Sequence, residues 1–404
     1  MEAMGRAARE AAHALRNSSA ETRTAAIAAM ARQIRAHAPE ILAANALDLA
    51  GATGLVDRLR LDAGRIEAMA RSIDEVALLP DPVGAEMDRW TRPNGLEIAR
   101  VRTPIGVIGM IYESRPNVTA DAAAICVRSG NAVILRSGSE ALNSSMAIHE
   151  AVAAGLEEAG LPHDTVQLVP VEDREAVGLL LEGLSGTIDL IIPRGGKSLV
   201  ERVGREARVA TLGHLEGVCH TYVHSSADPD MAVSIVRNAK LRRVTICGAT
   251  ETLLIDRAAA PELLPQIARA LDGCELRGDA ESRLYAPMKA AQESDWTTEY
   301  LAPVLAVRTV AGLDSAIAHI ERYGTGHTEA IIAADPLVAE DFLARVDSAI
   351  VIWNASTQFA DGGEFGFGGE IGIATGKLHA RGPVGPEQLT SFHYVVRGSG
   401  QIRP

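Results

Sequence analysis

Residues 105–138, IGVIGMIYESRPNVTADAAAICVRSGNAVILRSG, set the architecture of the whole chain. Ile105–Tyr112 is an apolar run punctuated by Gly106 and Gly109. Asn117–Ser129 is helical in pattern and stops at Gly130. Ala132–Leu135 is a short apolar strand. Apolar strands that read as continuous runs, separated by a helix of ordinary length, belong to a parallel sheet whose strands are buried on both faces.

The same alternation continues outward. A helix over Ser139–Ala159 ends at Gly160-Leu161-Pro162, and strands follow at Val166–Val169 and Ile188–Ile192 with a helix between them. After residue 250 it resumes: strand Thr252–Ile255, helix Pro261–Leu271, strand Val304–Val307, helix Leu313–Arg322, strand Ala330–Ala333, helix Pro336–Val346 and strand Ala349–Ile352. The expected fold is therefore α/β, two parallel sheets flanking residues 225–250. Upstream, the first 85 or so residues read as helices only. Ser18-Ser19-Ala20-Glu21 offers a capping box with Ser18 as N-cap, and a Pro/Gly break lies at 79–84. Arg92-Pro93-Asn94-Gly95 is a hairpin turn, and Ser391–Val396 is an extended tail.

Four hundred and four residues are enough for two or three domains. Aromatics are only 3%, so the core must be built from Ala, Val, Leu and Ile. The net charge of -13 argues against a general nucleic-acid binder, which needs a basic surface to displace counterions. Four cysteines make no disulfide framework, no stretch has the apolar length of a membrane span, and the N-terminus lacks the apolar run of a signal peptide. A cytoplasmic protein is expected.

Familiar nucleotide fingerprints fail. A Walker loop ending at Gly196-Lys197-Ser198 would need Gly where Ile191 stands, and Gly324-Thr325-Gly326 and Gly366-Phe367-Gly368 both lack the third glycine of a dinucleotide fingerprint. His214, Cys219, His220 and His224 suggest a metal cluster, but strand alternation puts Cys219 opposite His220 and His224, so no metal is expected. Cys126 sits on an apolar helix face. Cys274 lies in a turn with acids nearby, which would raise its pKa. Cys247 follows Lys240, Arg242 and Arg243 and precedes Gly248; cations favour the thiolate, and a flanking glycine allows close approach of a substrate. Cys247 reads either as a candidate nucleophile or as a buried thiol in a connecting loop. Pro193-Arg194-Gly195-Gly196-Lys197-Ser198, between a strand and a helix, has the makings of an anion site or of a simple turn. Asp361–Glu370 holds five glycines in ten residues, a loop of close approach near a site or a surface loop.

These residues together resemble the gamma-glutamyl phosphate reductase (glutamate-5-semialdehyde dehydrogenase) family of the aldehyde-dehydrogenase-like superfamily. The resemblance runs through 106–119, 130–140, 189–197, 214–220, 238–247 and 251–254, and most specifically through Gly369–Pro383. It implies a cofactor-binding domain over 1–88 and 104–230, a catalytic domain over 231–368, an oligomerisation hairpin and strand over 89–103 and 385–404, and a Gly-rich return segment over 369–384. It implies NADPH as cofactor and reduction of L-glutamate 5-phosphate to the semialdehyde in proline biosynthesis, with phosphate released. Cys247 takes the place of the nucleophile, with a polar side chain from Ser114–Asn117, Ser114 or Asn117 itself, as donor to the developing oxyanion. Arg136, Ser137 and Gly138, with Arg194, Gly195 and Gly196, take the cofactor, and Glu299 the nicotinamide ribose. A homo-oligomer and contact with a glutamate 5-kinase are further implications. Where the family often carries Pro and Asn around its cysteine, this chain has Val244 and Gly248. His214 stands where hydrolytic relatives carry a catalytic Glu, which argues against the rival reading of a hydrolytic aldehyde dehydrogenase. Cys247 and its basic flank argue against a non-catalytic scaffold.

Overall fold

The computed structural model describes residues 1–403 apart from 53–55, 114 and 214–215. Two compact units emerge: 1–213 with 366–372 and 378–404, and 214–365 with 373–377.

The first unit begins with helices α1 (Glu2–Arg16), α2 (Ala20–Ala36), α3 (Ala38–Gly51), the single turn α4 (Val56–Leu59) and α5 (Ala63–Leu78). The N-cap of α2 is Ser19 rather than Ser18: Ser19 Oγ accepts the Thr22 N–H at 3.1 Å, whereas Ser18 Oγ donates to Leu15 O at the end of α1. Each serine thus closes a different helix, and with Ser19 as N-cap the N3 position falls on Thr22, so Ser18 and Glu21 do not form the expected capping box. The expected hairpin forms from β1 (Glu86–Thr91) and β2 (Glu97–Pro104).

Then come β3 (Val107–Tyr112), α6 (Val118–Arg128), β4 (Ala132–Arg136), α7 (Leu142–Glu158), β5 (Val166–Leu168), α8 (Arg174–Leu181), β6 (Leu190–Arg194), α9 (Lys197–Glu206) and β7 (Ala210–Thr211). Gly130 ends α6 with φ +75°, a conformation costly for any residue with a Cβ. The strands form one parallel sheet in the order β5-β4-β3-β6-β7. All residues of β3 and β4 are buried, which is why their sequences lack alternation. Val107 and Ile111 pack with Ala8 and Ala12 of α1 and Val203 of α9 in one aliphatic cluster.

The second unit contains β8 (Cys219–Val223), α10 (Pro229–Leu241), β9 (Thr250–Asp256), α11 (Ala260–Ala270), β10 (Glu275–Gly278), β11 (Lys289–Ala290), β12 (Val304–Val310), α12 (Leu313–Tyr323), β13 (Thr328–Ile332), α13 (Pro336–Arg345) and β14 (Ile350–Trp353). They make a parallel sheet ordered β11-β10-β12-β9-β8-β13-β14. Leu253 and Ile255 enter one cluster with Leu263 and Leu264 of α11, while Leu254 between them enters the opposite one with Phe342 of α13. Burial on both faces follows from that alternation.

The domain boundary expected after residue 230 falls at 213 instead, because β8 hydrogen-bonds to β9 and β13 of the second sheet. The segment 369–384, expected as a separate return, is divided: 369–372 and 378–384 belong to the first unit, 373–377 to the second. The short β15 (Ile373–Ala374) lies in the second, and β16 (Gly382–Pro383) and β17 (Thr390–Arg397) in the first. There β17 joins the hairpin antiparallel to β2, giving a three-stranded sheet β1-β2-β17.

Candidate active site

In the first unit the chain runs from β3 out to β5, then returns to β6 on the other side of β3. The carboxyl ends of β3 and β6 therefore flank a topological switch point, where open parallel sheets bind ligands. Arg194, Gly195 and Gly196 stand there, at the end of β6 and the start of α9. The anion site expected from their pattern already faces a carboxylate of the chain itself. Glu113 follows β3; its N–H donates to Arg194 O at 3.1 Å, and its Oε2 accepts the Gly196 N–H at 2.9 Å. A Cβ on Gly195 would stand 2.6 Å from that carboxylate oxygen, so the glycine is what admits it.

Arg136 ends β4 and is buried. Its Nη1 donates to Ser137 O at 2.6 Å and its Nη2 to Glu172 O at 2.9 Å. Arg136 Nε and Ser137 Oγ, both buried, have no hydrogen-bond partner among the described residues. Buried polar atoms are costly to leave unsatisfied, so these two mark a place built for a further polar group. Asn117 opens α6, and its Nδ2 donates to Asp121 Oδ2 at 2.9 Å. Burial raises the Asp121 carboxyl to about 6, against the lowering pull of Asn117 and Ser72. Ser114 and His214 lie outside the described residues.

In the second unit, Cys247 is half-buried in the loop before β9 and packs on the cluster of Ile350, Ala360 and Ile373. Gly217 lies directly against it: a Cβ there would stand 2.8 Å from the Cys247 carbonyl carbon and 2.9 Å from its Cα. The Gly217 N–H donates to Glu299 Oε1 at 3.1 Å, so one residue connects the Cys247 loop with the carboxylate expected at the nicotinamide ribose. Cys219 Sγ, two residues on, donates to Cys247 O at 3.0 Å. Burial first, then the Glu329 carboxylate, pushes the Cys219 thiol far up, which keeps it the neutral donor. Gly248 packs under Thr357 O, 3.1 Å from where its Cβ would be.

The basic flank of Cys247 differs from expectation. Arg242 and Arg243 are exposed, but Lys240 is fully buried and its Nζ binds Glu251 Oε2. Burial raises Glu251 to about 7, opposed by Lys240 and reinforced by Glu299. The Lys240 charge is matched within the fold rather than offered to the thiol. The Cys274 thiol is raised to about 11, by burial first and by Glu251 and Glu275 after it. His220, one of the suspected metal ligands, has its N–H and Nδ1 on Glu329 Oε2, both at 2.9 Å.

The structure thus brings Cys247 and Glu299 together through Gly217 in one unit, and Glu113 with Arg194–Gly196 in the other. Glu113 and Gly217 escaped the sequence reading. Gly217 lies inside the stretch 214–220 quoted for the family resemblance, but nothing in its neighbours signals a backbone contact thirty residues away in sequence.

The aldehyde dehydrogenase family model matches residues 1–301. A gamma-glutamyl phosphate reductase from Caulobacter sp. (strain K31) is 66% identical, covering 100% of this chain and 99% of its own. The crystal structure of the gamma-glutamyl phosphate reductase from Thermotoga maritima superposes with a TM-score of 0.96 at 42% identity, covering 99% of both chains. A glyceraldehyde-3-phosphate dehydrogenase from Methanocaldococcus jannaschii, complexed with NADP, shares the fold at TM-score 0.71 and 15% identity, over 98% of this chain and 93% of its own. Full-length identity at this level, on a fold with two parallel α/β sheets and a cysteine presented between α10 and β9, makes the chain a member of the gamma-glutamyl phosphate reductase family of aldehyde-dehydrogenase-fold oxidoreductases.

Proposed function

We propose that the enzyme reduces L-glutamate 5-phosphate to L-glutamate 5-semialdehyde with NADPH and releases phosphate, through a thioester on Cys247, as a cytoplasmic step of proline biosynthesis. The observation that carries the reading is the 66% identity, end to end, with a relative named gamma-glutamyl phosphate reductase.

The Cys247 thiolate attacks the acyl carbon, the carbon–oxygen bond to phosphate breaks, and inorganic phosphate departs. NADPH, when bound, supplies the hydride that reduces the thioester. The resulting thiohemiacetal collapses: the carbonyl reforms, the carbon–sulfur bond breaks, and the thiolate is regenerated. Charge developing on the acyl oxygen needs donors, and the Cys247 N–H and the Asn117 amide are suited to that role. Asn117 keeps one amide N–H beyond the one given to Asp121, and Ser114 is the alternative donor. The unpartnered Arg136 Nε and Ser137 Oγ fit a phosphorylated ribose, with Gly138 allowing its approach. Arg194, Gly195 and Gly196 line the switch point beside it, and Glu299 holds the nicotinamide ribose. Glu113 already accepts the N–H of Gly196, the N-cap of α9, so Arg136 and Arg194 supply the charge partners of the cofactor phosphates.

The chain assembles as a homo-oligomer through the sheet β1-β2-β17, whose outer strand leaves Phe392, Tyr394 and Val396 41–59% exposed. A glutamate 5-kinase that hands over the unstable acyl phosphate is the partner this chemistry calls for.

The test is NADP reduction by the semialdehyde. With phosphate or arsenate present, turnover continues. Without either, it stalls after one equivalent, because the thioester has no acceptor. Sustained turnover in phosphate-free, arsenate-free buffer would mean that water resolves the thioester, the behaviour of a hydrolytic aldehyde dehydrogenase.

A further inference from the structure

A polar cleft of about 400 Å³ opens in the second unit at the carboxyl ends of β9 and β12, apart from the candidate active-site residues. Arg257 follows β9, Arg308 and Thr309 come from β12, and Ser315, His319 and Arg322 come from α12. The three helical residues recur at i, i+4 and i+7, so they form one face of α12. Cys247 and Glu299 are not among the residues that line this cleft.

Arg308 is the centre of the cleft's chemistry. No carboxylate pairs with it among the described residues. Its Nη1 donates to His319 Nδ1 at 2.9 Å, and its guanidinium lies 5.5 Å from the centre of the Trp296 ring. A guanidinium has no lone pair to accept with, so Nδ1 is the acceptor and the imidazole proton sits on Nε2. His319 is 4% exposed, and that Nε2 has no partner among the described residues. Burial, followed by His220, Arg308 and Arg322, holds the ring neutral. Arg257 pairs with Glu281 at 2.7 Å and Arg322 with Glu293 at 3.3 Å. Both cations are largely exposed, and exposed pairs contribute little, so they can turn to a stronger anion. The hydroxyls of Thr309 and Ser315 add neutral donors. Three guanidiniums line one concavity, and one of them has no acid of its own among the described residues.

We propose that this cleft binds a small multivalent oxyanion, a phosphate or diphosphate group, held chiefly by Arg308. Guanidinium groups match tetrahedral oxyanions through paired N–H donors, and the contacts with Trp296 and His319 hold the Arg308 fork in place before the ligand arrives. The site is independent of the reaction proposed above.

Trp296 gives a local readout, since the chain's other two tryptophans, Trp90 and Trp353, can be replaced by Phe. In the W90F/W353F enzyme saturated with NADP, inorganic pyrophosphate is titrated at low salt while Trp296 fluorescence and calorimetric heat are followed. The expected result is a saturable change that weakens with salt. Arg308→Gln is expected to weaken it about tenfold or more, Arg308→Lys by less, and Arg322→Gln to an intermediate degree. Circular dichroism checks the fold of each variant, and Arg322→Gln on the rim serves if Arg308→Gln misfolds. ADP binding more tightly than pyrophosphate would identify an esterified diphosphate as the ligand, and the reverse order a free anion. No response in the parent enzyme, a response unchanged by both Arg308→Gln and Arg322→Gln, or binding of citrate but not pyrophosphate would overturn the proposal.

Discussion

Gly217→Ala adds one methyl group where the chain has no room for it. The new Cβ would stand 2.8 Å from the carbonyl carbon of Cys247 and 2.9 Å from its Cα, and closer still to the carbonyl oxygen. Carbon atoms rest in contact at roughly 3.5 Å, so relieving the carbon contact alone separates the two backbones by about 0.7 Å, and the closer carbonyl oxygen demands more. The atoms in the way are main chain, not the tip of a flexible side chain, so no rotamer change relieves the contact. The same move pulls the Gly217 N–H away from Glu299 Oε1 and the Cys247 carbonyl away from Cys219 Sγ. Overpacking of this kind costs about 1–3 kcal/mol of stability. Its effect on rate is larger, because displacement of a reacting group by about 1 Å costs on the order of a hundredfold. The expected outcome is a folded enzyme with a lower melting temperature and a kcat down by about two orders of magnitude. KM for the acyl phosphate should change much less. The assay is steady-state NADPH oxidation, with thermal denaturation and cofactor titration as controls. A variant with kcat within threefold of the parent would refute the view that Gly217 sets the position of Cys247.

Cys247→Ala is expected to lower turnover by at least about a thousandfold while leaving NADPH binding intact, as measured by cofactor fluorescence. Lys240→Met leaves Glu251 buried without its cation; the expected cost is about 3–5 kcal/mol by urea denaturation, and Lys240→Met with Glu251→Leu should recover much of it. A double variant no more stable than Lys240→Met would show that the pair is not what the fold depends on. Truncation after Gly385 removes β17, and light scattering should then show loss of the native oligomer; a native-like assembly would place the subunit contact elsewhere.

Most of the fold was legible because parallel strands buried on both faces declare themselves as short apolar runs. Val107–Tyr112 and Ala132–Arg136 are read almost residue for residue. The boundary at 213 was not, because β8 reads the same whichever sheet it joins; only its pairing with β9 and β13 decides. The shift from Ser18 to Ser19 has the same origin, two adjacent residues able to cap and one geometry that uses each differently. Cys247 was singled out by its chemical type and its sequence neighbours. What surrounds it was not: Lys240 sits close in sequence yet spends its charge on Glu251, and Gly217 matters through a non-local contact that leaves no local mark.

The three-stranded sheet also dictates an order of events during synthesis. Strand β2 is the middle strand, paired on one side with its hairpin neighbour β1 and on the other with β17, in a register that sets Pro104 against Thr390. The ribosome must add roughly 290 residues after Pro104 before that second partner exists, about 15–60 s at ordinary translation speeds. Throughout that interval a nascent chain carries one unmatched row of backbone donors and acceptors. Its protection is written into the strand itself: Glu97, Arg100 and Arg102 punctuate EIARVRTP, and the terminal proline lacks an N–H. These charges make the waiting edge a poor template for neighbouring chains on the same message, and the segment can stay soluble until its own distant partner arrives to close it.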